Sequence, residues 1–207
     1  MIRLQRLTAH SQERPLVVKL GGSLYDRIPD LVPVLRSSVR PLFLMPGGGP
    51  FADAVREAGL DDETAHWEAI AAMDEYGRYI SSQGIPATDR LAVPDRTVVL
   101  LPARVLREQD PLPHSWNVTS DTIAAWAAFS LNLDILLLKS VDGIVSGGIL
   151  QEHVDAPLGM DVTDPFLIPY VLKNRVDTFI INGSRPELLR RYLIGEPVPG
   201  TRISTTF

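Results

Sequence analysis

The sequence predicts an α/β protein with a mainly parallel central sheet, and three observations carry that expectation. Short apolar runs recur along the 207 residues; each ends in glycines or small polar residues; and most are followed by a stretch with helical apolar spacing. The first such unit organises the chain: Val17-Val18-Lys19-Leu20-Gly21-Gly22-Ser23. A second, Phe43-Leu44-Met45-Pro46-Gly47-Gly48-Gly49, follows within the first 50 residues. In sheets of this kind ligands gather at the carboxyl ends of the strands.

Leu16 to Leu20 reads as a buried strand, short, β-branched and closed by glycines. Pro29 to Val39 has near-helical apolar spacing with Pro close to its start. Pro41 to Met45 is the second strand. From Pro50 the pattern Phe51, Ala54, Val55, Ala58 gives a helix stopped by Gly59. Acidic residues 61–63 open a long helix, Ala65 to Ser82, where they suit the macrodipole. Thr97 to Leu101 is a strand, and Pro102 to Leu106 begins a short helix. Thr122 to Leu131 is an alanine-rich buried helix, and the strand Ile135 to Leu138 follows at once. A loop around Ser146-Gly147-Gly148 and a turn over residues 161–165 precede a helix from Phe166 to Leu172. The strand Thr178 to Ile181, a helix from Arg185 to Leu193 and an edge strand over residues 200–203 complete the chain. Residues 1–14 are polar and carry no motif.

Composition narrows the function. A chain of 22.8 kDa with 45% hydrophobic and 22% charged residues suits one globular domain, 1–207. A net charge of −5 argues against nucleic acid as a partner. The chain has no cysteine, which excludes disulfides, thiolate metal sites and thiol redox chemistry. No signal-like or membrane-spanning run is expected, so the default location is the cytoplasm and no membrane partner is named. Of 20 basic residues only Lys19, Lys139 and Lys173 are lysines, which singles them out.

Glycine turns after strands expose backbone N–H groups to anions, so Gly21, Gly22 and Ser23 with Lys19, and Gly47, Gly48 and Gly49, suggest phosphate binding on two sides of one cleft. Neither Gly-x-x-x-x-Gly-Lys-[Ser/Thr] nor Gly-x-Gly-x-x-Gly is present, which disfavours a P-loop or dinucleotide fold. Asp121, after Ser120 at the head of the alanine-rich helix, reads as a catalytic carboxylate or as a helix cap.

These motifs, with Asn117 before Ser120-Asp121 and Lys139-Ser140-Val141-Asp142-Gly143 after the next strand, resemble the amino acid kinase family in order and spacing, from about Pro15 to the end. The resemblance implies a three-layer α/β/α sandwich, an ATP-dependent phosphotransferase with Mg2+, and a homo-oligomer. It implies an acceptor half to about residue 115 and a nucleotide half over 116–207. Lys19, Gly21, Gly22 and Ser23 would hold the ATP phosphates and Gly47, Gly48 and Gly49 the acceptor. Asp121 would orient the catalytic lysine, Asn117 would contact substrate, and Lys139, Asp142 and Gly143 would approach the nucleotide. The magnesium is expected on the nucleotide phosphates, with no protein ligand named. A Gly-Gly-Met…Lys element of many members is missing, and Lys139, ahead of Lys173, is the choice to replace its charge.

The loop after Gly49 bears on the acceptor. It reads Pro50-Phe51-Ala52-Asp53 and lacks the histidine of isopentenyl phosphate kinases and the nearby arginine of uridylate kinases, until Arg56. The stretch to Arg56 and the His66-Trp67 to Met73 helix resemble a small branch of the family that acts in methanofuran biosynthesis. That branch converts 5-(aminomethyl)furan-3-methanol phosphate to the diphosphate, so a small phosphorylated molecule is the implied partner. Its ammonium calls for a carboxylate, with Asp53, Asp61, Asp62, Asp74 and Glu75 as candidates, and His66 is a candidate donor to the acceptor or a capping or core histidine. Arg78 and Arg104 are possible phosphate partners. Isopentenyl phosphate or uridylate kinase activity, or a non-catalytic nucleotide-binding role, are the alternatives.

Overall fold

In the computed structural model, which describes residues 14–157 and 162–205, the apolar runs pack side by side and their helices cover both faces. The elements in order are β1 (Leu16–Leu20), a 3-10 turn (Gly22–Arg27), α1 (Ile28–Arg36), β2 (Leu42–Pro46), α2 (Gly49–Glu57) and α3 (Asp62–Ser82). Next come β3 (Ala87–Thr88), β4 (Val98–Leu100), α4 (Ala103–Gln109), α5 (Ser120–Leu131) and β5 (Ile135–Lys139). The chain ends with β6 (Val145–Ser146), β7 (Ile149–Leu150), β8 (His153–Val154), α6 (Leu167–Asn174), β9 (Thr178–Asn182), α7 (Pro186–Leu193) and β10 (Thr201–Ile203).

The main sheet runs β3-β4-β2-β1-β5-β9-β10-β8, parallel at every pairing except β9 with β10. β1 lies between β2 and β5, with Lys19 opposite Met45 on one side and Leu137 on the other. The first two glycine turns therefore leave the same edge of the sheet from adjacent strands. The predicted three-layer α/β/α sandwich is the observed one.

Side-chain alternation along the strands decides which layer each residue meets. Leu16, Val18 and Leu20 of β1 and Leu136 and Leu138 of β5 pack with α1 and α7. Val17, Ile135 and Leu137 point to the other face, among Ile123 to Ala128 of α5 and Leu167, Ile168 and Val171 of α6. Lys19 and Lys139 share the parity of this second set, so both project from the strand ends on the side of α5.

Several boundaries differ from the sequence expectation. Val39 is fully exposed beyond the end of α1, because the helix stops at Arg36. The loop at residues 146–148 is the turn of a two-stranded hairpin, with Gly147 and Gly148 both at positive φ (57° and 79°), as such two-residue turns require. The strand 200–203 is not at the edge, since β8 pairs outside it. The N-terminal arm falls almost wholly outside the described residues, as does Asp161.

The start of α5 is fixed from a distance. Thr119 precedes the helix, and its backbone N–H and hydroxyl donate to the Asp164 carboxylate at 3.0 and 2.9 Å. Thr122 does the same through its N–H and hydroxyl at 3.0 and 2.5 Å. Asp164 also accepts from the N–H groups of Phe166 and Leu167 at the start of α6. One buried carboxylate thus satisfies the orphan donors of two helix N-termini and suits both dipoles. Replacing it by alanine strands these donors in a buried setting, so Asp164→Ala is expected to lose about 3 kcal/mol or more in urea unfolding. A loss below about 1 kcal/mol, the value of an ordinary cap, would mean that the two helix starts are held by other contacts.

Candidate active site

The parity of β1 and β5 brings two lysines to one carboxylate. Lys19 Nζ lies 2.7 Å from Asp121 Oδ1, an ion pair without an aligned hydrogen bond, and Lys139 Nζ donates to Asp121 Oδ2. Asp121 sits in the first turn of α5, whose position is set by Asp164. Lys19 and Asp121 are each only 3% exposed, and Lys139 is more open. Three side chains in contact therefore carry a net charge of +1 at the carboxyl ends of two strands, a place that calls for an anion. Burial alone raises the Asp121 pKa, but the charges of Lys19 and Lys139, with the Lys139 hydrogen bond, outweigh it and hold the carboxyl down at about 2. Burial lowers the pKa of Lys19, and the attraction of Asp121 works against that shift.

The two glycine turns are pressed together. A Cβ on Gly22 would lie 2.9 Å from the backbone N of Gly49, and one on Gly47 would lie 2.9 Å from the backbone N of Gly22. Only glycine permits this approach. Gly22 and Ser23 open the 3-10 turn, and Gly48 and Gly49 open α2, so their N–H groups belong to helix starts without intrahelical partners. Gly21 and Gly47 are already committed, donating to Leu138 and Leu20 carbonyls at 3.0 and 2.8 Å. Two positive helix ends consequently meet beside Lys19.

The loop after β5 closes on the same place. Ser23 Oγ donates to Ser140 Oγ at 3.1 Å. Asp142 accepts from Asn182 Nδ2 at 2.9 Å, which ties the loop to the end of β9. Gly143 has φ 146°, and a Cβ there would strike Thr201 Oγ1.

A cavity opens next to the second glycine turn. It is lined by Gly48, Ala52 and Ser120, by the apolar Ile70, Met73 and Ile123, and by Arg56, Asp62, His66 and Trp116. It takes residues from both sides of position 115. The Arg56 guanidinium stacks 5.0 Å over the Trp116 ring. His66 stacks on His114, with ring centroids 3.9 Å apart, and burial followed by the nearby His114 lowers its pKa.

The structure thus gathers Lys19, Gly21, Gly22, Ser23, Gly47, Gly48, Gly49, Asp121 and Lys139, with Asp142 and Gly143 at one rim and His66 at the cavity. Asp53 does not line the cavity; it is exposed on α2 and pairs with Arg56 at 3.1 Å. Asn117 is exposed outside the lining as well. Lys173 is exposed in the last turn of α6, away from Asp121. Asp61 caps α3 through Thr64, and Asp74 accepts from Ala103 N–H. Arg78 pairs with Glu75, and Arg104 with Asp89 and Glu108, all at the surface. Sequence reading missed Asp164 and Trp116. For Asp164 the only local signal is Asp before Pro at a helix start.

No family model matches the chain. It is 29% identical to the [5-(aminomethyl)furan-3-yl]methyl phosphate kinase of Methanocaldococcus jannaschii, with 87% of this chain and 93% of that protein covered. Its fold matches the uridylate kinase of Archaeoglobus fulgidus at a TM-score of 0.68 and 21% identity, covering 91% of this chain and 99% of the other. It matches the UMP kinase of Ureaplasma parvum at 0.73 and 16%, covering 93% and 99%.

The lowered Asp121 pKa fixes a pH effect. In the unfolded chain an aspartate protonates near 3.8, whereas in the folded protein it does so near 2. The stability this group contributes is therefore complete above the unfolded value and is lost as pH falls from about 4 to about 2. It amounts to about 2 kcal/mol across that window. Asp121→Asn is expected to flatten this acid limb of the stability curve and to lower stability at neutral pH, because two ammonium groups then face each other unpaired. Equilibrium unfolding of both proteins across the window checks this. An unchanged slope in the variant would contradict it.

Proposed function

We propose that this chain, which has the fold of the amino acid kinase family, is an ATP-dependent kinase that converts a small phosphorylated acceptor to its diphosphate. The carrying observation is the convergence of Lys19 and Lys139 on Asp121 beside two abutting glycine turns. Phosphoryl transfer needs two anionic groups held in line and the charge on the moving group neutralised, and it asks little covalent chemistry of the protein. Helix starts and fixed ammonium groups meet that need without reorganising.

In this reading the N–H groups of Gly22 and Ser23, beside Gly21, cradle the ATP phosphates, with Asp142 and Gly143 toward the nucleoside. The N–H groups of Gly48 and Gly49, after Gly47, hold the acceptor phosphate, and the cavity beyond Gly48 holds the acceptor body. An acceptor phosphate oxygen forms a bond to the γ-phosphorus while the bond to the β–γ bridging oxygen breaks, and ADP leaves with that electron pair. Lys19 and Lys139 remain protonated and follow the charge from the γ-phosphoryl to the bridging oxygen. Asp121 keeps both ammonium groups at the reacting phosphates and takes no proton. Magnesium, bound with the nucleotide, would shield the phosphate oxygens. The nearby carboxylates are already committed, Asp121 to the lysines and Asp142 to Asn182, which suits a metal held by the nucleotide itself.

For the acceptor we propose 5-(aminomethyl)furan-3-methanol phosphate. The similarity to the Methanocaldococcus jannaschii kinase supports this, and so does the cavity: Trp116 offers a face for a flat ring, and Asp62 is the carboxylate among the lining residues. We place the enzyme in the cytoplasm, where ATP is available. No helix among the described residues is long and apolar enough to cross a membrane.

ADP release measured with three acceptors tests the reading. The aminomethylfuran phosphate is expected to exceed UMP and isopentenyl phosphate in kcat/KM by about 100-fold or more. Lys19→Met and Lys139→Met are each expected to lower kcat by about 100- to 1,000-fold with an unchanged circular dichroism spectrum. ATP binding without turnover on any of the three acceptors, or full turnover in Lys19→Met, sinks the proposal.

A further inference from the structure

A second constellation lies at the outer wall of the cavity. The first turns of α3 carry Glu63 and His66, and the segment after α4 carries Asp110 and His114. Glu63 accepts from Trp67 Nε1 at 2.8 Å through one oxygen and meets His114 Nδ1 with the other. Asp110 Oδ1 lies 2.7 Å from His114 Nε2. Both ring nitrogens of His114 therefore face carboxylate oxygens. A neutral imidazole has one N–H and one lone pair, so one of these contacts needs a further proton or a metal ion.

His66 supplies the next element. Its ring stacks on His114 at 3.9 Å and 16°, and among the described residues its nitrogens make no hydrogen bond. One ligand atom each from His66, Asp110 and His114 lie within 4.8 Å of one another. The Asp110 backbone is left-handed, with φ 40°, at the C-cap of α4, and this turn presents its carboxylate to the ring four residues later.

We propose that His66, Asp110 and His114 bind one divalent transition-metal ion of the zinc class. Two imidazoles and a carboxylate suit Zn2+ or Co2+ and do not suit Mg2+, which takes oxygen ligands. Three protein ligands leave one position of a tetrahedral ion for water. Glu63 on His114 Nδ1 is the outer carboxylate that fixes ring orientation and directs Nε2 to the metal. For both lone pairs to converge, the stacked rings must splay apart. Trp67, edge-on to both at 4.9 and 5.2 Å, senses that movement. The ion ties the start of α3 to the segment that leads into α5, joining two walls of the cavity that His66 lines. The site shares no residue with Lys19, Lys139 and Asp121, and metal binding is read without nucleotide or acceptor, so its failure and that of the kinase reading are distinguishable.

The test uses the full chain without a polyhistidine tag, stripped with chelator and free of nucleotide, at neutral pH. Zn2+ is titrated by calorimetry and by Trp fluorescence, and Co2+ by its visible absorption. One ion per chain is expected, with a fluorescence change that saturates at the same ratio, a four-coordinate Co2+ spectrum, and no displacement by millimolar Mg2+. His66→Ala and His114→Ala should each weaken binding about tenfold or more, and Glu63→Gln by about 10- to 100-fold. Because these side chains lie at the surface or partly exposed, the variants keep the fold, which their melting curves check. Absence of saturable one-to-one binding overturns the site. So does equal affinity in a His66→Gln, His114→Gln double variant, which would assign the ion to other groups of the chain.

Discussion

One carboxylate shared by two ammonium groups constrains the rest of this molecule. Taking three charged groups out of water costs several kcal/mol for each ion, and only close, well-held pairing offsets that. The pairing here depends on features far apart in the chain. β1 and β5 must be neighbours in parallel register so that Lys19 and Lys139 leave the sheet on the same face. α5 must start at that spot, with Asp121 in its first turn. Because the Asp121 side chain is committed to the lysines, it cannot cap its own helix, and Asp164 does so from the start of α6. The fold is in this sense arranged so that a buried anion meets two cations and leaves one positive charge over.

That surplus charge and the glycine turns act on the same space. Gly22 and Gly47 allow two helix starts to approach within contact distance, so their partial positive charges add to those of the lysines. A larger residue at either position would part the turns. On the other side Ile70, Met73 and Ile123 give the cavity an apolar lining next to Gly48. Charged and apolar surfaces are thus divided between the strand ends and the cavity beside them.

Much of this was legible in the sequence, for physical reasons that also explain what was not. β1 and β2 are fully buried and β5 and β9 largely so, which makes their apolar runs stand out, and the glycines after β1 and β2 mark close backbone approach. The two-residue strands β3 and β8 bury too little to leave a pattern. Val39 has the right spacing for α1 but lies beyond its end, because Ser37 and Ser38 turn the chain through hydrogen bonds to Val34 and Arg40 carbonyls. Lys139 was readable as a second cation from the missing family lysine, while its contact with Asp121 needed the strand register. Asp164 serves residues 42 and 45 positions away, and no local pattern reports such a partner. Asp53 was one of the carboxylate candidates for a substrate ammonium. The helical turn instead sends Ala52 and Arg56 to the cavity and leaves Asp53 on the surface.

The choice of lysine carries the last step. In a chain that uses arginine for 17 of its 20 basic residues, two of the three lysines meet on one aspartate. Among the described residues, the surface ion pairs made by a lysine or an arginine, such as Arg56 with Asp53 and Arg104 with Glu108, all use arginine. A guanidinium is broad and planar, and it prefers to occupy both oxygens of a carboxylate in a fork. Two of them cannot share Asp121 in a space where one lysine is 3% exposed. An ammonium is a compact point charge with three donors, so each lysine can use one Asp121 oxygen and still direct donors toward an incoming phosphate. Codon preference is free to set the surface composition. At positions 19 and 139 the geometry around one buried carboxylate sets it instead.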